Sequence, residues 1–76
     1  MYVANDITRE ALGELYNTRS LSVDTETTGL DPKQHELKVV TIWNNDDNEG
    51  YYIRVTEDTK NLRELIQYYT GHVYMH

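Results

Sequence analysis

Apolar residues recur along this chain at helical spacing in two places, and each set predicts a helix. The first set predicts a short helix over residues 6–17, with Asn5 or Asp6 as its N-cap. Its members are Ile7, Ala11, Leu12 and Leu15. The second set predicts an amphipathic helix over residues 57–70, begun by Thr56 and ended near Gly71. Its members are Leu62, Leu65, Ile66 and Tyr69.

Alternating and β-branched segments predict four strands, at about residues 20–25, 37–43, 50–55 and 72–76. The acidic run over residues 44–50 lacks the spacing of a calcium loop, so we expect a hairpin turn there. A hairpin followed by a crossover helix implies an α/β fold with a mixed sheet of about four strands. The last strand is expected to lie parallel to the first and beside it.

Two carboxylates lie near the end of the first predicted strand. Ser22, Asp24 and Glu26 share one face because strand side chains alternate, and the Cα atoms of the two acidic residues are roughly 6.5–7 Å apart. Neighbouring carboxylates repel each other unless a cation or a proton lies between them. Oxygen ligands of this kind suit Mg²⁺ or Mn²⁺. Alternatively, Asp24 and the threonines after it form turn hydrogen bonds ahead of Gly29.

Composition limits the range of functions. The 76 residues form one small domain, and such a domain buries only about 60% of its unfolded surface. The absence of cysteine excludes disulfides and thiolate zinc sites. A net charge of −6 disfavours non-specific binding to nucleic acid, although a metal-bridged site remains compatible with it. No segment has the composition of a membrane span or a signal peptide, so we expect a cytoplasmic protein with no membrane partner.

The string Ser-Leu-Ser-Val-Asp-Thr-Glu-Thr-Thr-Gly-Leu-Asp-Pro, over residues 20–32, resembles the first motif of the DEDD family of 3′–5′ exonucleases. That family includes the proofreading domains of DNA polymerases and has a ribonuclease H-like fold. The resemblance implies two Mg²⁺ or Mn²⁺ ions, with Asp24 bridging both and Glu26 binding the ion that activates water. It also implies that Thr27, through its backbone, and Leu30, by packing on the base, hold the 3′-terminal nucleotide of DNA.

The likeness extends to the order of elements but covers only the first half of the family's domain. Motif strand, antiparallel hairpin, helix and short strand is the opening order of the family. We place no second- or third-motif aspartate and no general base within residues 1–76. The resemblance therefore implies the N-terminal part of a proofreading exonuclease of phage type, inactive as this chain alone. The rest of a polymerase, or a partner chain, would cover its sheet.

Several features keep alternatives open. The chain is otherwise interpreted as a catalytically dead module that binds a partner through its sheet edge, or as an unrelated α/β domain. Tyr52 and Arg54 share one face of a strand, which fits base stacking or a half-buried edge strand. His72 and His76 share a face by parity and fit a transition-metal pair or an ordinary strand end. His76 alternatively matches the histidine of a His-Asn step found in many members of the family.

Overall fold

The computed structural model describes residues 1–28 and 37–75. It contains five strands and two helices within those ranges. In chain order they are β1 (Tyr2–Ala4), α1 (Arg9–Tyr16), β2 (Ser20–Thr28), β3 (Leu37–Asn44), β4 (Glu49–Val55), α2 (Lys60–Tyr68) and β5 (His72–Met75). The helices and strands predicted from the hydrophobic pattern are all present. Both helices are shorter than expected, and the first predicted strand, which is β2, is longer.

The strands form one mixed sheet in the order β1-β4-β3-β2-β5. Strands β2, β3 and β4 pair antiparallel, and β5 runs parallel to β2 and beside it, as the crossover argument predicts. The expected count of about four strands was one too low, because β1 adds in parallel to β4. That short strand also means that β4 is not the edge strand that the sequence suggested.

Both helices pack on the same face of the sheet, called here the helix face. Leu12 and Leu15 of α1 and Leu62 and Leu65 of α2 are buried there. These four leucines pack against a row of apolar side chains from each interior strand, β2, β3 and β4. These rows comprise Leu21, Val23, Val40, Ile42, Tyr51 and Ile53. Burial of this apolar surface is the main source of stability in so small a domain.

The opposite side of the sheet is called here the open face, since neither helix packs on it. Alternation places on it the strand residues that point away from the two helices. They include Val3, Ser22, Asp24, Glu26, Val39, Thr41, Trp43, Tyr52, Arg54, His72 and Tyr74. The open face thus carries the carboxylates of the sequence motif together with several aromatic side chains.

The helix caps differ from those predicted. Thr8 caps α1, where its Oγ1 accepts a hydrogen bond of 3.0 Å from the backbone N–H of Ala11. Asp6 caps α2 instead, from the other end of the chain. Thr59, rather than Thr56, occupies the N-cap position of α2, and Tyr69, rather than Gly71, is its C-cap.

The predicted hairpin joins β3 to β4. The side chain of Asn44 is fully buried, and its Oδ1 accepts the backbone N–H groups of Asp46 and Asp47 at 3.0 and 3.1 Å. Asn48 adopts the left-handed conformation, with φ of 57°, which asparagine tolerates better than most residues. This turn fixes the register of β3 against β4.

Candidate functional site

The two motif carboxylates lie on β2, an interior strand of the sheet. Both belong to the open face, since the residues that alternate with them, Leu21 and Val23, are buried in the core. Asp24 is half-buried and lies opposite Thr41, whereas Glu26 is exposed and lies opposite Val39. The period of a strand puts their Cα atoms roughly 6.5–7 Å apart. Both carboxylates therefore face the same solvent-accessible region.

At these two positions β2 extends beyond its pairing with β5. The parallel register of β2 and β5 ends at the pair Val23↔Met75, one residue before Asp24. Within residues 1–28 and 37–75, β2 at Asp24 and Glu26 is therefore paired with β3 alone.

The structure gives neither carboxylate a hydrogen bond or an ion pair with any other described residue. Arg9 and Glu64, whose charged atoms are 3.2 Å apart, form the one ion pair within the described ranges, and it lies on the helix side of the sheet. Asp24 and Glu26 are thus two like charges on one face, and no cationic side chain among the described residues is bonded to them. A divalent cation would relieve their repulsion, so the donor set fits Mg²⁺ or Mn²⁺ in chemistry.

Within the part of the chain that is described, no three His, Asp or Glu side chains lie close enough together to hold an ion. The candidate site in these residues accordingly consists of two carboxylates. The rest of an ion's coordination shell would come from water, substrate or additional residues.

Of the two predicted nucleotide-binding residues, the structure describes only Thr27. Thr27 continues β2 and pairs with Lys38, which places its backbone next to the carboxylates along the strand. Leu30 and His76 lie outside the described residues. His72 is described, and its ring meets that of Tyr74 edge to face with centroids 4.3 Å apart on the exposed strand β5.

Sequence reasoning did not place any residue of β3 or β4 beside the carboxylates, but the register does. One row across the open face runs Asp24–Thr41–Tyr52, and the next runs Glu26–Val39–Arg54. Each row spans two strand spacings, roughly 9–10 Å between its outer Cα atoms. The parity of Tyr52 and Arg54 was readable from the sequence, whereas the register that aligns them with β2 depends on the hairpin turn.

The helix face carries a separate feature, an apolar groove beside the exposed end of α2. It has a volume of about 340 Å³ and runs between Ile66 of α2 and the β5 residues Val73 and Met75. Its walls come from the face of the sheet opposite to the carboxylates. The groove therefore does not belong to the candidate metal site.

No family model matches this chain, and no curated protein shows significant sequence similarity to it. Among the described residues, neither helix is long and apolar enough to cross a membrane.

Proposed function

We propose that residues 1–76 form the first part of a metal-dependent 3′–5′ exonuclease domain, of the ribonuclease H-like type that proofreads for a DNA polymerase, here of phage type. The observation that carries the proposal is the pair Asp24 and Glu26. Both lie on the open face of an interior strand, without cationic partners among the described residues. They also lie within a string that resembles the first exonuclease motif.

The topology supports the same proposal. An antiparallel set β2-β3-β4, a crossover through α2 and a parallel β5 beside β2 form the order that the resemblance predicts. In this family the next metal-binding carboxylate follows shortly after the strand that corresponds to β5. Because β5 runs parallel to β2 and is paired up to Val23, a chain continuing in that direction would pass beside Asp24 and Glu26.

In the proposed mechanism, Asp24 and Glu26 hold one or two Mg²⁺ or Mn²⁺ ions on the open face. Ions bound there would supply an activated water and neutralise the charge of the scissile phosphate. Asp24 lies in the middle of the β2–β3 ladder, which fixes the position of its backbone within the sheet. Two carboxylates do not complete a catalytic site of this class. We therefore expect residues 1–76 to bind metal weakly and to lack nuclease activity alone.

The metal site is tested by calorimetric titration of the 76-residue protein with Mn²⁺. We expect weak binding by the wild type and loss of the binding heat in Asp24→Ala. Glu57→Ala is the matched control, since it removes one exposed acidic side chain outside the site. Equal binding by wild type and Asp24→Ala, or no binding by the wild type, would contradict the proposed metal site.

The activity is tested with the coding sequence that follows codon 76. If the reading frame continues, we expect an Asn codon followed within a few codons by Phe-Asp. The extended protein should then release nucleotides from a 3′-labelled single strand in the presence of Mg²⁺, and Asp24→Ala should abolish that release. A continuation without this segment would remove the main support for a domain of this family.

A second candidate function is a binding module without catalysis. It is favoured by β5, whose four residues are all exposed and which pairs with β2 on one side only in the described part of the sheet. Such an edge can accept a strand from a partner. Mn²⁺ titrations that do not distinguish Asp24→Ala from the wild type would favour this function over the nuclease.

A further inference from the structure

Arg54 stands out on the open face because of what surrounds it. It is exposed, and it is the only lysine or arginine among the described strand residues of that face. It lies in the row Glu26–Val39–Arg54, so β3 separates Arg54, on β4, from the motif carboxylates on β2. Val39, between the two charged residues, is only 1% exposed.

Neither a hydrogen bond nor an ion pair joins Arg54 to another described residue. Two arginines do have described side-chain partners, and both lie on the helix side. Arg9 binds Glu64, and Arg63 donates to the carbonyl of Thr56 at 3.1 Å. A guanidinium group with free donors is suited to an anion, and its planar fork matches the oxygens of a phosphate. In a chain of net charge −6, a cation that has no partner among the described residues marks a place on the open face where a negatively charged ligand can bind.

The spacing fits a phosphodiester chain. Glu26 and Arg54 are two strand spacings apart, roughly 9–10 Å between Cα atoms, on the same face of the sheet. An ion held by the carboxylates would bind one phosphate over β2, which leaves the guanidinium of Arg54 to meet the preceding phosphate. Tyr52 lies two residues from Arg54 on the same face, half-buried, in the row of Asp24.

We infer that Arg54 is a substrate-positioning residue, which binds the phosphate on the 5′ side of the penultimate nucleotide of a single DNA strand, one phosphate before the scissile one. The strand crosses the open face from β2 over β3 to β4, and the ring of Tyr52 provides a stacking surface for one base. This inference rests on the proposed function, because the carboxylate-bound ion anchors the 3′ end. Arg54 and Tyr52 both lie outside the motif, on β4.

Charge makes the inference testable. The net charge of −6 opposes binding of a polyanion, so the metal ion and Arg54 supply the attraction. Removal of one phosphate contact lowers the slope of log K against log salt by about 0.7 for a single strand. It should also weaken binding by about fivefold to tenfold at low salt, as expected for loss of a charge-assisted hydrogen bond at an exposed position.

The experiment measures fluorescence anisotropy of a short 5′-fluorescein oligothymidylate with a 3′-terminal phosphorothioate, titrated with the 76-residue protein in Mn²⁺ at several salt concentrations. Arg54→Gln is compared with the wild type. Lys60→Gln is the control, because it removes one exposed positive charge from α2, on the helix side. We expect the weaker binding and the smaller salt slope in Arg54→Gln only, together with an unchanged circular dichroism spectrum.

The outcomes separate this inference from the proposed function. If Asp24→Ala loses Mn²⁺ binding by calorimetry while Arg54→Gln binds the oligonucleotide like the wild type, the inference is wrong and the metal site stands. Equal weakening in Arg54→Gln and Lys60→Gln, or no oligonucleotide binding by the wild type, would also overturn it. Weaker binding in Arg54→Gln alone, together with loss of oligonucleotide binding by every variant when EDTA removes the Mn²⁺, supports both the inference and the proposed function.

Discussion

Gly50 shows how a single residue shapes the open face. It pairs with Trp43 across β3 and β4, and a Cβ placed on it would lie 2.5 and 2.6 Å from two carbons of the indole ring. The same Cβ would lie 2.8 Å from the terminal methyl of Met1. The missing side chain therefore lets the indole ring lie close to Gly50. Gly13, in the middle of α1, has no such neighbour within 4 Å.

Replacement of the two glycines by alanine should have opposite effects. Gly50→Ala forces the ring of Trp43 to move, and we expect it to lower the free energy of unfolding by about 1–3 kcal/mol and to shift the tryptophan emission. Gly13→Ala, in an exposed helical position, should raise it by about 0.5–1 kcal/mol. Urea denaturation followed by fluorescence measures both. Equal stability of Gly50→Ala and the wild type would show that Trp43 is not packed on β4.

The orientation of the motif carboxylates was predictable from the sequence because it depends only on neighbours along β2. Alternation alone puts Asp24 and Glu26 on the face opposite to Val23. The position of Arg54 was not predictable in the same way, because it depends on the register of two strand pairs. The register of β3 against β4 is set by the buried Asn44 and its hydrogen bonds within the turn, which no periodicity reveals.

At the scale of the element, α2 depends on a residue far from it in sequence. The carboxylate of Asp6 accepts backbone N–H groups from Lys60, Asn61 and Leu62, each at 2.9 Å. A carboxylate at this end of a helix satisfies donors that lack partners and interacts favourably with the helix dipole. The hydroxyl of Thr59 does not cap α2 but donates to the carbonyl of Asn5 at 2.7 Å.

Asp6→Ala should therefore destabilise the protein by about 1–2 kcal/mol, the range found when an N-capping side chain is removed. Asp58→Ala is the control, since it removes an exposed acidic side chain two residues before α2 begins. Chemical denaturation of both variants measures the difference. A loss of stability in Asp58→Ala as large as in Asp6→Ala would mean that general charge, rather than the cap, is responsible.

The contact between the two helices is polar at its exposed edge. Glu64 accepts hydrogen bonds from the Tyr16 hydroxyl at 3.0 Å and from Arg9 at 3.2 Å. The hydrogen bond from Tyr16 and then that from Arg9 hold the pKa of Glu64 below its ordinary value of 4.5. Burial first, and the hydrogen bond to Glu64 next, raise the pKa of Tyr16, so its phenol stays protonated as the donor.

This pKa shift predicts a pH dependence with a definite sign. A carboxyl group whose pKa is lowered by folding stabilises the protein above its unfolded-state pKa, and that stabilisation is lost as the pH falls through the folded-state pKa. Glu64→Gln should therefore be less stable than the wild type at pH 7, and the difference should shrink below about pH 4.5. Denaturation at both pH values measures it. A difference that is constant with pH would contradict the shift.

Prediction at this scale succeeded where hydrophobic spacing is the signal and failed where a partner is distant. Helical spacing found both helices, and β-branched runs found β3 and β4. Strand β1 was missed because three residues carry no usable period, and its partner in β4 lies about fifty positions away. The caps were assigned to the wrong residues for the same reason, since Asp6 is adjacent in sequence to α1 but contacts α2.

For the whole molecule, the distribution of exposed apolar side chains is uneven. Ile66, Tyr68, Val73, Tyr74 and Met75 have between 39% and 65% of their surface exposed, and all lie on the last part of α2 and on β5. The apolar groove on the helix face runs between Ile66 and β5. A hydrophobic dye that fluoresces on apolar surfaces should bind there.

Met75→Lys should reduce that dye signal while changing the free energy of unfolding by no more than about 0.5 kcal/mol, because Met75 is already 65% exposed. Val3→Lys is the matched control, since Val3 is 59% exposed but lies on the open face. Dye titration and urea denaturation measure the two quantities. An equal loss of signal in both variants would place the apolar binding surface elsewhere.

The bond between Asp6 and the start of α2 also limits when this protein can fold during its synthesis. The ribosome releases Asp6 long before the backbone groups that it binds, which follow 54 to 56 residues later. Until those residues emerge, the carboxylate has no helix to cap and β1 has no strand to join. Residues 2–6 must therefore meet residues 51–62 before either segment is stable, so folding should begin only after residue 62 has emerged.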